Sequence, residues 1–281
     1  MRLITRLAHS FVAGDTNSEA IQAVAKLKDK GIMSTLDILG ESVKDRNTAE
    51  KAAAAYLELL DVIKAAGSDA HISLKLTQQG LDIDTEFCYQ NVRRIVEKAR
   101  TLGTFVRIDM EGTPHTQRTL DLFLRLRREF DNVGIVIQAY LHRSEKDVHD
   151  LNKAGARIRL CKGAYKEPAS VALQKMDDIR AAYRRQARLL LDEGRYPALA
   201  THDESLIQDA LQHVREKGYG RERFELQMLY GLRPKRWDAL VREGWNVRIY
   251  VPYGTHWFPY FYRRLRERKE NVFFVLRGIF E

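Results

Sequence analysis

A chain of 281 residues, 44% hydrophobic, can bury a large core, and its two cysteines exclude a disulfide framework. No apolar run approaches the roughly 20 residues that span a bilayer. Residues 1–9 carry a charge-interrupted apolar patch in place of a signal-peptide core, so a cytoplasmic protein is expected. The formal charge of +9 permits attraction to nucleic acid or an anionic membrane, but 38 acidic residues are interspersed among the 47 basic ones and neither partner is required.

Residues 1–30 read as a polar-amphipathic helical extension, with Ala20, Ile21, Val24, Ala25 and Leu27 on a loose apolar face and Gly31 as its stop. From there strand and helix patterns alternate. A strand is predicted over 32–39, then an alanine-rich helix over 48–66 with Tyr56, Leu59, Leu60 and Ile63 on one face. A strand at 71–76 leads to a helix at 84–102, capped by Asp84 and ended by Gly103. A strand at 105–109, a helix at 116–130 and an almost continuously apolar strand at 134–140 follow. Next come a helix at 144–154 with Ser144 as cap, a strand at 157–161 and a long helix at 171–192. A strand at 198–201, a helix at 205–217, a strand at 224–229, a helix at 234–242 and a strand at 247–251 complete the series. A final helix takes Thr255 as cap and Pro259 in its first turn, which places Tyr260, Arg263, Arg264 and Glu267 on one face.

Strands alternating with helices imply βαβ units and a parallel sheet. Eight such pairs imply an α/β fold of the (β/α)8 TIM-like barrel type, with a doubly wound open sheet as the alternative. No linker or composition shift divides the chain, so one domain over 1–281 is expected, with 1–30 as its N-terminal helical extension.

Active sites of such barrels lie at the C-terminal ends of the strands. Those ends carry Lys75, Asp109 with Glu111, Gln138, Arg159 with Lys162, Thr201-His202-Asp203, Gln227 and Tyr250, and the final helix adds Arg263, Arg264 and Glu267. Each alone has a plain structural use, since a lysine can snorkel and an aspartate can cap a turn. Together they suggest a convergent site with a cationic surplus, suited to a carboxylate or phosphate. Two adjacent arginines can grip one such group with planar forks of donors. A solvated basic helix is the simpler account of that last segment taken alone. No Gly-x-Gly-x-x-Gly follows a strand, no phosphate-binding loop of the P-loop type occurs, and the dispersed histidines and cysteines offer no metal-ligand spacing.

The strand ends carry a resemblance. Arg159-Leu160-Cys161-Lys162-Gly163-Ala164-Tyr165 resembles the fifth-strand signature of proline dehydrogenases. Tyr250-Val251-Pro252-Tyr253-Gly254 with Tyr262-Arg263-Arg264-Leu265-Arg266-Glu267-Arg268 resembles their eighth strand and final helix. Ser73-Leu74-Lys75-Leu76, Arg107-Ile108-Asp109-Met110-Glu111, Gln138-Ala139-Tyr140, Ala200-Thr201-His202 and Gln227-Met228-Leu229-Tyr230-Gly231 match the other strand ends, in order. Cys161 departs from the small aliphatic residue expected there, and as a small hydrophobe it should leave activity unaffected.

The resemblance implies the short monofunctional form of a flavin barrel. Such an enzyme oxidises L-proline to Δ1-pyrroline-5-carboxylate by hydride transfer to flavin N5, using FAD held without a Rossmann domain. It implies Lys75, Arg263 and Arg264 on the substrate carboxylate, and Tyr250 and Leu229 as walls for the proline ring. Asp109 is implied beneath the substrate as a catalytic residue ordering Tyr250 or the basic groups. Arg159 is implied near N5, Met110 and Gln138 against the isoalloxazine, and Lys162, Gly163 and Ala164 as a turn close to the cofactor. Thr201 and His202 fall by the ribityl-pyrophosphate region, and Glu267 orients an arginine over the cofactor. Electrons pass to a membrane quinone, with peripheral attraction to the inner membrane and a pyrroline-5-carboxylate dehydrogenase as partner. No metal and no nucleic acid are implied.

Two other classes stay open on the residues themselves. Lys75 or Lys162 at a strand end suits a Schiff-base aldolase, if cationic neighbours depress its pKa. The basic runs at 125–128, 184–188 and 263–269 suit a nucleic-acid binder, although their acidic neighbours fit solvated helix faces better.

Overall fold

The structure is a computed structural model and describes residues 11–257. Its first helix, α1 (Asn17–Lys28), is held by a capping box: Thr16 accepts from the Glu19 amide while the Glu19 carboxylate accepts from the Thr16 amide. Then come β1 (Met33–Ile38), α2 (Arg46–Ala65), β2 (His71–Leu74), α3 (Thr85–Thr101), β3 (Val106–Ile108), α4 (Thr113–Glu129) and β4 (Val133–Gln138). They are followed by α5 (Ser144–Lys153), β5 (Arg157–Cys161), α6 (Met176–Glu193), β6 (Ala198–Ala200), α7 (Glu204–Lys217), β7 (Glu225–Leu229), α8 (Pro234–Arg242) and β8 (Val247–Tyr253).

All eight strands are parallel, each pairs with its neighbours in chain order, and β1 pairs with β8 from Met33–Arg248 to Ile38–Tyr253. The barrel is therefore closed, and the open-sheet alternative falls. Alternation explains how the strands face. Leu36, Ile72, Leu74, Val106, Ile108, Ile158, Leu160, Leu226, Ile249 and Val251 join one core with helix residues such as Tyr56, Leu60, Val92, Phe123, Tyr183 and Leu211. The intervening residues Asp37, Ser73, Arg107, Arg159, Glu225, Gln227 and Arg248 are buried too; across the barrel interior Asp37 bonds Lys75, Arg159 bonds Gln227 and Ser73, and Arg248 bonds Glu225. Part of the interior that a barrel of this type fills with branched apolar side chains is here a polar column.

Local signals placed most helices to within three residues. Asp84 caps α3 as expected, its Oδ1 accepting from the Phe87 amide at 2.6 Å. Asp84→Ala is expected to cost about 1 kcal/mol of stability, typical for loss of an N-cap. In urea melts this reads as a lower midpoint at unchanged slope. Ser144 does not cap α5: it is the first helical residue, and its hydroxyl donates to the Gln138 carbonyl at 2.5 Å. The sixth helix begins at Met176, five residues later than predicted, because the preceding stretch bonds elsewhere. Ala172 bridges to Leu141, Leu173 N–H donates to the Tyr140 carbonyl, and Glu167 accepts from the Thr113 amide at the start of α4. Within the predicted extension, α1 buries Ala20, Ala23, Val24 and Leu27 in the main core.

Candidate active site

A cavity of about 340 Å³ opens at the C-terminal ends of the strands, within the usual range of ligand sites. Lys75, Asp109, Met110, Arg159, Lys162, Gly163, Ala164, Thr201, His202, Leu229 and Tyr250, all named from the sequence, line it. Side chains not assigned from the sequence join them, chiefly Val136, Tyr140, Tyr165, Ile179, Met228 and Leu232.

Asp109 is the hub. Its Oδ2 accepts from the Tyr250 hydroxyl at 2.8 Å; its Oδ1 accepts from Arg159 Nη1 at 2.8 Å and from Ser73 Oγ at 2.7 Å. Lys75 Nζ lies 3.7 Å from Oδ2 and donates to the Tyr250 hydroxyl at 3.4 Å. Arg159 gives its Nε to Gln227 Oε1 at 2.5 Å and lies 5.3 Å from the centre of the Tyr250 ring. Its remaining nitrogen, Nη2, has no partner among the described residues.

The residue that the sequence concealed is Asp37. It is fully buried on β1, and both its oxygens lie 3.0 Å from Lys75 Nζ. Burial pushes its pKa up to about 6 even though Lys75 pulls the other way. Burial also works against the Lys75 charge, but Asp37 and Asp109 outweigh it and hold the ammonium above its ordinary pKa. Burial, reinforced by Asp109 and Asp37, raises the Tyr250 phenol well above its usual value, so it keeps its proton as a donor. A lone carboxylate inside an apolar strand pattern was the available signal for Asp37, and its partner lies 38 positions away.

The opposite wall is a set of turns. Gly163 has φ +140°, and a Cβ there would run into the Tyr140 ring, so only glycine allows this close approach. Lys162 pairs with Asp203 at 3.3 Å, and Arg180 donates to the same carboxylate at 2.8 Å. Partial burial opposes that charge, but Arg180, Ser205 and Lys162 together hold the Asp203 carboxyl well below the usual range. His202 Nε2 accepts from the Leu229 amide at 3.0 Å, which leaves the ring proton of the neutral imidazole on Nδ1. Thr201 Oγ1 accepts from the Asp203 amide.

Gln138 does not line the cavity. Its Oε1 accepts from the Ala164 amide at 2.9 Å and its Nε2 donates to the Glu111 carbonyl at 3.1 Å, so it braces the Gly163-Ala164 turn from behind. Arg263, Arg264 and Glu267 lie outside the described residues. Among the described residues no cluster of three His, Cys, Asp or Glu side chains could hold a metal ion, and no helix is long and apolar enough to cross a membrane.

The geometry weighs on both alternative chemistries. A Schiff-base lysine needs a depressed pKa, whereas Lys75 is held protonated by two carboxylates and Lys162 is ion-paired. The basic runs at 125–128 and 184–188 are matched by acids: Arg125 pairs with Glu86, Arg184 and Arg188 with Asp209, and Arg185 with Glu145.

The family model for proline dehydrogenase matches residues 20–277. The chain is 38% identical to proline dehydrogenase 2 of Bacillus subtilis (strain 168) over 272 residues, spanning 97% of this chain and 90% of that protein. It is 41% identical to the proline dehydrogenase of Deinococcus radiodurans over 278 residues, 97% of this chain and 90% of that one. Among solved structures, proline utilization A (PutA) from Bdellovibrio bacteriovorus, inactivated by N-propargylglycine, superposes with a TM-score of 0.87 at 25% identity. That match covers 93% of this chain and 32% of the other.

Proposed function

Because the chain belongs to the proline dehydrogenase family, whose reaction oxidises L-proline as the first step of its catabolism, we propose that the cavity over the barrel is where FAD and proline meet. FAD, when bound, supplies the hydride acceptor, the flavin N5. The observation that carries the reading is the Asp109 hub, which sets Lys75 and Tyr250 on one side and Arg159 on the other of a single carboxylate.

Lys75, kept charged by Asp37, takes the proline carboxylate together with Arg263 and Arg264. Tyr250 and Leu229 wall the ring, and Asp109 holds the Tyr250 proton away from it. This leaves the carbon next to the ring nitrogen as the part facing the cofactor, and such fixed orientation is what accelerates the reaction. The Nη2 of Arg159, without a partner among the described residues, is available to a ring atom that gains negative charge. The Gly163 cradle and the apolar surfaces of Met110, Val136 and Ala164 suit a flat aromatic group. Gln138 serves that group through the Ala164 amide, not by touching it. Lys162, Thr201 and His202 face the ribityl-pyrophosphate part, and Glu267 orients an arginine. The product is Δ1-pyrroline-5-carboxylate, passed on to a pyrroline-5-carboxylate dehydrogenase. A membrane quinone takes the electrons, met by peripheral contact of the cytoplasmic protein with the inner membrane, which the +9 charge favours.

The visible spectrum tests this reading. The purified protein should show flavin bands that bleach anaerobically with L-proline and return with a quinone. A protein that neither takes up FAD nor reduces a dye with proline sinks it.

A further inference from the structure

Below the cavity the polar column continues to the barrel floor. Arg159 Nε donates to Gln227 Oε1, Gln227 Nε2 donates to Glu225 Oε1, and Arg248 Nε lies 3.0 Å from both Glu225 oxygens. Arg248 Nη1 donates to the Ser34 carbonyl at 2.8 Å. Glu225 has no exposed surface, and Gln227, Arg248 and Arg159 are 3%, 4% and 5% exposed. Glu225 and Gln227 stand two apart on β7 and so face the same way, into the barrel.

The order of these groups follows from their chemistry. A guanidinium can only donate, while a carboxamide accepts at one end and donates at the other. Arg159 therefore requires the oxygen of Gln227, and the amide nitrogen is left pointing down the barrel, in need of an acceptor. Glu225 is the acceptor within reach. Without it, the buried amide nitrogen loses its partner, and the amide is drawn to rotate away from Arg159.

We propose that Glu225, remote from the substrate, is a positioning residue of the reaction: its carboxylate fixes the Gln227 amide, and the amide fixes the Arg159 guanidinium at the cavity. The inference rests on the reading of Arg159 as the group that faces the reduced flavin. Its plain rival is that Glu225 only balances charge on the floor. Arg107, Arg157 and Arg248 surround it, and burial together with Arg159 and Arg157 drives the Arg107 pKa well below its usual value.

The double variant Glu225→Leu/Arg248→Met separates the two. It removes one negative and one positive charge together, so the surplus on the floor is unchanged, and buried ion pairs often accept such apolar replacement. It nonetheless removes the acceptor below Gln227. If Glu225 positions Arg159, the variant retains FAD, but its flavin has a lower midpoint potential. Anaerobic reduction by saturating proline is then at least about tenfold slower, roughly 1.4 kcal/mol, and the proline KM stays within about twofold of wild type, because Lys75 and Tyr250 are untouched. Gln227→Leu should give the same shift, with little further change when combined with the double variant, since the two act on one chain of bonds. Glu225→Met/Arg248→Leu, which likewise removes the acceptor below Gln227 and leaves the charge surplus unchanged, carries the same measurements should the first double variant not fold. Wild-type potential and reduction rate in these variants overturn the proposal, as does loss of FAD from all of them. A wild-type protein that binds no FAD would instead refute the functional reading beneath it.

Discussion

Asp109→Asn is expected to lower kcat/KM for proline by about 10²- to 10³-fold while the protein still folds and holds FAD. Asp109 accepts from three donors, Tyr250, Ser73 and Arg159, at 2.7–2.8 Å, and Lys75 stands 3.7 Å away. An asparagine offers one accepting end, so its amide nitrogen must confront either the tyrosine hydroxyl or the Arg159–Ser73 pair. Two charge-assisted bonds at about 1.5–3 kcal/mol each are disturbed, and each 1.36 kcal/mol is a decade in rate. Steady-state assays with a dye acceptor, alongside the flavin content of the variant, measure this. A change below about fivefold would mean that Tyr250 and Arg159 keep their places without the carboxylate.

Lys75→Met is expected to raise the proline KM by about 10²-fold, the size of one lost charge-assisted contact to a carboxylate. A second effect separates this lysine from a surface one. Asp37 has its pKa raised from 3.8 to about 6, so the native state binds its proton more tightly than the unfolded chain does. Its contribution to stability is full below about pH 4 and is lost as the pH rises through 6. Lys75 limits that loss by favouring the ionised form. In the variant, the pKa of Asp37 climbs further and the loss extends to higher pH. The stability difference from wild type should therefore widen between pH 5 and pH 8. Denaturant melts at the two pH values measure it, and a constant difference would show that Asp37 does not ionise within that range.

The two variants bear on different parts of how the site could be read from sequence. Asp109, Arg159, Lys75 and Tyr250 stood at strand ends, where a barrel gathers its chemistry, so the period of the chain and the glycine stops were enough to single them out. Asp37 sits inside β1 among Thr35, Leu36 and Ile38, with no cap or turn to mark it. Gln227 was visible at a strand end, but its task depends on the Arg159 guanidinium 68 positions away. Gln138 was also visible at a strand end, but that it braces the Gly163-Ala164 turn depends on the Ala164 amide and the Glu111 carbonyl, which occupy both ends of its side chain.

Alternation along the strands was equally legible, with Ile158 and Leu160 between Arg157, Arg159 and Cys161, and Leu226 and Met228 between Glu225, Gln227 and Leu229. Which set faces the helices and which the barrel interior was not. Eight buried strands with helices around them lead to an expectation of an apolar interior, and the structure places much of the polar set there. By itself, then, the sequence determined most of the elements and their order, with eight units favouring closure over an open sheet, because caps, glycine stops and periodicity act over a few residues and are complete in the local chain; the β1–β8 pairing that closes the barrel came from the structure. Tertiary structure alone decided the pairings of Asp37 with Lys75, of Asp109 with Ser73 and Arg159, and of Glu225 with Gln227 and Arg248. Those depend on the register in which distant strands meet, and burial then makes each pairing strong by removing the water that would otherwise compete for it.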